Sequence, residues 1–264
     1  MRSCWAEKRH SVGWVLIPAL LIGCPTVFAD EIKVMSVGNT TPALLKLAPV
    51  FEQSTGHKIV TLATEAGVGT NAIPNRIRRG EPVDVLLSAA SAIDTLIEDG
   101  FVLAGSRVEL AHSSIGIAVR AGAPRPRVQS VEDIKRALLA SKSVALSVQI
   151  SGVYVSTELL PRLGIADQVL PKVRRVEGEL VGDVLARGEA EIGIQQISEL
   201  LAVPGVDYLG PLPMELQRVT VVSAAIPTSV KSLQAARALL RFLASSEAAA
   251  VIKATGLEPM TTRP

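Results

Sequence analysis

Residues 31–63 read EIKVMSVGNTTPALLKLAPVFEQSTGHKIVTLA, and this stretch decides the fold. A short β-branched run, Ile32–Val37, leads through a polar turn to a longer helical stretch, Leu44–Thr55, and then to a second short run, His57–Ala63. Strand, helix, strand is the order that builds a parallel sheet covered by helices. The pattern continues with a helix at Ile73–Arg79, a strand at Val83–Ser88 and a helix at Ala92–Glu98, with Gly80 and Gly100 where helices stop.

After the proline-rich stretch Gly122–Pro126 the same grammar starts again. Helices are predicted at Val131–Ala140, Val155–Leu163 and Leu180–Arg187, and strands at Val144–Ser147, Val173–Val176 and Ile192–Gln195. Arg79-Gly80-Glu81-Pro82 and Arg187-Gly188-Glu189-Ala190 echo each other as helix ends that feed apolar strands, which two ordinary helix-glycine-strand junctions also explain. The tail, with an extended run at Arg218–Ser223 and helices at Val230–Ala244 and Glu247–Ala254, is expected to pack back on the first block. The chain therefore reads as α/β, two Rossmann-like lobes joined by a two-segment hinge: residues 30–115 plus 222–264 form one lobe and 116–221 the other. The crossings are expected near Ile115–Arg120 and Leu212–Thr220, the second stiffened by Pro211 and Pro213.

The N-terminus has a different character. Arg2, Lys8 and Arg9 precede an apolar run from Val12 to Val27, and Val27-Phe28-Ala29 offers a small residue for cleavage, so residues 1–29 read as a secretory signal and the mature protein as periplasmic. Leu21-Ile22-Gly23-Cys24 resembles a lipobox, with lipid anchoring at Cys24 the alternative processing. Both cysteines and both tryptophans fall in this leader. The mature chain holds 24 basic and 24 acidic residues and is formally neutral. A neutral chain without basic clusters lacks the field that nucleic acids or anionic membranes require. Without disulfides, it must be held by its Ala-, Val-, Leu- and Ile-rich core.

In open α/β sheets a ligand sits beyond the carboxyl ends of the strands. The loops there are polar and uncharged. The first, Ser36–Pro42, offers Asn39, Thr40 and Thr41, with Thr41 placed to cap a helix that opens at Pro42. The second, Gly67–Asn71, offers Gly69, Thr70 and Asn71, with Asn71 as a cap ahead of Pro74. Ser88 ends the third strand, Ser151, Gly152 and Tyr154 open a helix in the second block, and Gln195 and Gln196 come after the strand Ile192–Ile194. Helix N-termini lined by such groups hold negative charge without a counter-cation. Tyr154 reads equally as a ligand contact and as a packed ring.

Other chemistries have no support in the residues. His57 and His112 belong to no metal-spaced cluster, no Gly-x-Ser-x-Gly elbow occurs, and Gly67–Gly69 does not lead into a dinucleotide fingerprint. The reading therefore calls for no metal and no cofactor. Only five aromatic residues lie beyond the leader, which disfavours a sugar-stacking cleft.

Leu47-Ala48-Pro49-Val50-Phe51-Glu52 with Thr55-Gly56-His57-Lys58, then Gly80–Val85, then Arg187–Ile194 resemble type II periplasmic binding proteins of the molybdate-binding-like kind. The resemblance covers nearly all of residues 31–259 and implies a monomeric receptor that delivers a small anionic solute to an ABC transporter permease. It also implies serine, serine and tyrosine where this chain has Asn39, Gly69 or Thr70, and Gln196, a departure that argues against molybdate itself. Ile115–Pro124 and Gln195–Leu200 resemble a divergent branch that includes periplasmic aconitate isomerases. That branch implies the alternative of a cofactor-free allylic proton shift, with His112 or Glu65 as base and Arg174 or Arg175 holding carboxylates.

Overall fold

The computed structural model describes residues 29–65 and 69–260. The leader with Cys24, and Gly67 of the second loop, lie outside the described residues.

The first block runs β1 (Glu31–Val37), α1 (Thr41–Thr55), β2 (Lys58–Thr64), α2 (Ile73–Arg78), β3 (Val85–Ala89), α3 (Ala90–Glu98) and β4 (Val108–Ser113). The second runs β5 (Ile115–Arg120), α4 (Val131–Ala140), β6 (Val144–Ser147), α5 (Ile150–Tyr154), α6 (Leu160–Arg162), α7 (Ala166–Val169), β7 (Val173–Val176), α8 (Val181–Ala186), β8 (Ile192–Gln196), α9 (Ile197–Leu200) and β9 (Val206–Pro211). The chain closes with β10 (Thr220–Ala225), α10 (Leu233–Leu243), α11 (Ser246–Ala254) and β11 (Glu258–Pro259). Two sheets result, ordered β11-β4-β10-β3-β1-β2 and β7-β6-β8-β5-β9. β1 pairs in parallel with β2 and β3, and β6 with β7 and β8, whereas β10 and β5 run antiparallel to their neighbours. The expected two-lobe α/β fold is what the chain forms.

Helices cover both faces of each sheet. Leu44, Leu47 and Phe51 of α1 pack with Leu239 and Leu243 of α10 against Val34 and Val85, while Ile73 and Ile93 lie on the opposite face with Met35 and Leu86. In the second lobe Ile134 and Leu159 cover one face, and Val181 and Leu185 the other. Each such side chain, fully removed from water, contributes roughly 1.5–3 kcal/mol. The echoing glycines adopt the same left-handed backbone, φ 76° at Gly80 and 73° at Gly188, which ends α2 and α8 and turns the chain into the next strand.

Three local expectations are corrected. Thr40 is the N-cap of α1, and Thr41 is already helical; its hydroxyl donates back to the Val37 carbonyl at 3.1 Å rather than accepting from an amide. α2 is capped by Ala72 without a side-chain bond, because Asn71 turns toward Glu65, with Asn71 Nδ2 donating to Glu65 Oε1 at 3.5 Å. The helix expected from Val155 opens at Ile150 and widens into a π turn over Val155–Leu159 before α6. Pro161 has no N–H for the carbonyl one turn back, and the register shifts to accommodate it.

The chain passes between sheets at Ser114 and again over residues 212–219. One side chain ties both passages. Gln217 Nε2 donates to the Ile115 and Leu212 carbonyls at 3.0 and 3.2 Å, while its Oε1 accepts from the amides of Ile115 at 2.8 Å and Arg218 at 3.1 Å. Ile115 therefore belongs to the second sheet, and the stretch Ile115–Arg120 is a strand there, not a connector.

Candidate functional site

The carboxyl ends of β1 and β3 face those of β6 and β8 across the gap between the lobes, the position that α/β topology reserves for ligands. A narrow cavity of about 20 Å³ lies there. The first lobe lines it with Val37, Gly38 and Asn39 from the β1–α1 turn, Ala89 and Thr220; the second lines it with Gln149, Ile150 and Ser151 at the start of α5, and with Gln196 and Glu199. An adjoining, roomier groove of about 590 Å³ shares Gly38, Gln149 and Glu199 and is bordered by Thr41, Glu65, Asn71, Glu179 and Asp183.

The lobes touch through specific bonds at this cavity. Ser198 Oγ donates to the Asn39 carbonyl at 2.8 Å, and Ser113 Oγ donates to Gln196 Oε1 at 2.7 Å. Asn39 is 9% exposed, and its side-chain Oδ1 is a buried acceptor with no hydrogen-bond partner among the described residues. An orphan of this kind costs about 1–3 kcal/mol, which a ligand donor would recover.

Among the described residues no lysine or arginine lines the cavity, and Glu199 is the one ionisable group that does. Glu199 is 4% exposed. Loss of solvation pushes its carboxyl up to about 7, against the opposing pull of hydrogen bonds from the Gln195 side chain and the Gln196 backbone. Its Oε1 fills the volume that a Cβ on Gly38 would need, so the glycine is what lets the acid close against the first lobe.

Of the residues singled out in the sequence, Asn39, Ser151 and Gln196 come together around this cavity, and Thr41, Asn71 and Glu65 border the adjoining groove. The others are placed elsewhere. Gly69 and Thr70 are exposed, and the Thr70 carbonyl accepts from Arg79 at 2.9 Å. Thr40 Oγ1 donates to the Val37 carbonyl at 2.9 Å. Ser88 is buried within β3 opposite Ser223, and Ala89 after it reaches the cavity. Gly152 lies against the Ser147 backbone, which leaves no space for a side chain. Tyr154 is a packed ring whose hydroxyl donates to the Leu216 carbonyl at 2.9 Å. Gln195 Oε1 accepts from the Val181 amide at 2.9 Å and so closes the start of α8.

For the isomerase alternative, His112 sits in β4 opposite Val221 and Glu258, away from both cavities. Arg174 is paired with Glu189 at 2.5 Å, and Arg175 is exposed. Sequence reasoning missed Glu199, Gln149 and Thr220. The signal for Glu199 was an acid four residues after Gln195, one helical turn beyond a strand's carboxyl end. Among the described residues, no group of three or more His, Cys, Asp or Glu could hold a metal ion, and no helix is long and apolar enough to cross a membrane.

The comparisons agree with this geometry. Residues 32–258 match the family model of the bacterial extracellular solute-binding proteins. An aconitate isomerase from Pseudomonas sp. is 41% identical over 249 residues, covering 93% of this chain and 95% of that one. The molybdate-binding protein of Azotobacter vinelandii is 28% identical over 262 residues, with 92% and 95% covered. A solved structure of the A. vinelandii periplasmic molybdate-binding protein superposes with a TM-score of 0.72 at 24% identity, over 88% of this chain and 100% of that one. With two α/β lobes, a polar cavity between them and a family match across both, the chain belongs to the bacterial extracellular solute-binding proteins.

Proposed function

We propose that this chain captures a small oxyanion or carboxylate between its lobes in the periplasm and presents the closed form to an ABC transporter permease, acting as a monomer exported by its first 29 residues. One observation carries the reading. Neutral polar groups from both lobes, Asn39 with its unpartnered Oδ1, Ser151, Gln196 and Thr220, meet around one cavity, with no cation among the described residues that line it. Such groups hold an anion by hydrogen bonds and backbone dipoles, as the start of α1 supplies here, and release it when the lobes part. The experiment is isothermal titration of the mature protein against molybdate, tungstate, sulfate, citrate and the two aconitates. Stoichiometric, tight binding of one of them is expected, and no heat across the whole panel removes the reading.

A second reading, isomerisation of an unsaturated tricarboxylate, is favoured by two observations: the likeness to a Pseudomonas aconitate isomerase over nearly the whole chain, and an ionisable Glu199 in the cavity wall. It is tested by deuterium entry into cis- or trans-aconitate from heavy water. Absence of both deuterium entry and interconversion of the two aconitates at high protein concentration leaves capture alone.

A further inference from the structure

An allylic proton shift needs one group that removes a proton from a saturated carbon and returns one to the far end of the three-carbon unit. Five side chains near the lobe junction are chemically able to do so, and geometry separates them: Glu179 borders only the outer groove and is paired with Arg187 at 2.8 Å, and Asp183 borders only that groove, its Oδ2 accepting from the Leu180 amide at 3.2 Å. His112 reaches neither cavity. Glu65 borders only the outer groove, where it takes the Asn71 amide. Glu199 lines both the inner cavity and the groove, is buried, and touches Gly38 of the opposite lobe.

Resting on the isomerase reading, we propose that Glu199 is the catalytic proton carrier of this cavity. The Glu199 carboxylate takes a proton from the methylene next to the substrate's double bond. The C–H electron pair becomes the new double bond, and the old π pair moves to the far carbon. The Glu199 carboxylic acid then delivers its proton to that far carbon and is a carboxylate again. No electrons leave the system, and no co-reactant is required. Because Ser198, its neighbour, bonds the Asn39 carbonyl, Glu199 takes its place against Gly38 when the lobes are together, which ties proton transfer to closure.

The step also explains a seat that is poor for a mere structural acid. A buried carboxyl without a cationic partner is costly, and in a cavity that receives an anion it is costlier still. The same surroundings strengthen it as a base near neutral pH.

The test uses the mature protein and its Glu199→Gln variant with trans-aconitate in heavy water, monitored by proton NMR, and titration calorimetry on the same samples. The expected result is exchange by the wild type, a loss of about 100-fold or more in the variant, and trans-aconitate affinity retained within a few-fold. A second signature is internal return: substrate deuterated at the reacting methylene should deliver part of its label to the far carbon, as a single carrier requires. Wild-type exchange that persists in Glu199→Gln overturns the assignment while leaving the isomerase reading intact. A wild type that binds trans-aconitate with neither exchange nor conversion to cis-aconitate overturns both and leaves capture.

Discussion

Ser198 Oγ and the Asn39 carbonyl lie 2.8 Å apart, and their hydrogen bond joins α9, directly after β8, to the turn after β1 beside the cavity. Both partners are buried, so removing the hydroxyl leaves a carbonyl without its donor. Ser198→Ala should weaken ligand affinity by about 1–2 kcal/mol, roughly a five- to thirty-fold rise in Kd, by disfavouring the closed form. Calorimetry measures the affinity, and small-angle scattering without ligand should show a larger radius of gyration. An unchanged Kd would mean that this bond contributes nothing to closure.

Gly38→Ala forces the Glu199 carboxyl out of its place, since the added methyl group and Oε1 need the same volume. The backbone at Gly38 is one that alanine can adopt, so the cost falls on the flexible acid and not on the chain. Ligand-dependent closure, and any proton exchange, should fall at least tenfold while the melting temperature moves by only a few degrees. Parallel calorimetry and thermal melts separate the two effects.

Gly152→Ala has the opposite signature. A Cβ there meets the Ser147 backbone, which cannot swing aside, so the variant should lose about 1–3 kcal/mol of stability or more, read by urea unfolding. Tyr154→Phe should cost about 1 kcal/mol through loss of the bond to the Leu216 carbonyl, with affinity unchanged. Thr70→Ala should alter neither quantity, because Thr70 is exposed and outside both cavities.

Glu199 also predicts a pH dependence of stability. Its carboxyl has a folded pKa of about 7 against an ordinary value of 4.5. The folded state thus holds the proton more tightly than the unfolded one, and this contribution is complete below about 4.5 and lost as pH rises through about 7. Replacing the acid by glutamine removes the dependence, so the fall in unfolding free energy between pH 5 and pH 8 should shrink by roughly 1–3 kcal/mol in Glu199→Gln. Anion binding works in the same direction: wild-type affinity should improve as pH drops, with proton uptake seen as a buffer-dependent heat. Identical heats in buffers of different ionisation enthalpy would show that no proton accompanies binding.

Much of the architecture was readable because it rests on local periodicity. The bounds of α4, β6 and β7 coincide with the apolar and β-branched runs that predicted them, and the glycines at 80 and 188 end helices as their position suggested. The cavity was readable only in part. Asn39, Ser151 and Gln196 sit at strand ends, so topology alone brings them together. Thr41 and Asn71 were misjudged as caps because their side chains bond backward, to Val37 and Glu65, a choice that depends on neighbours rather than residue type. Glu199 was missed because its one sequence signal, a place just beyond a strand's carboxyl end, is shared by solvated acids in helical turns. Its burial is made by Gly38, which lies far earlier in the chain.

The amide of Gln217 bonds the backbone of both stretches that cross between the lobes, at Ile115 and at Leu212, and so pins the two crossings together. Were the halves to swing about this pin, Gln196 and Thr220 near it would shift little, while the outer walls carrying Glu65 and Glu179 would travel farthest. Solute would thus enter from the acidic rim and be squeezed toward an almost stationary floor, so that the mouth selects what may pass and the floor decides what stays.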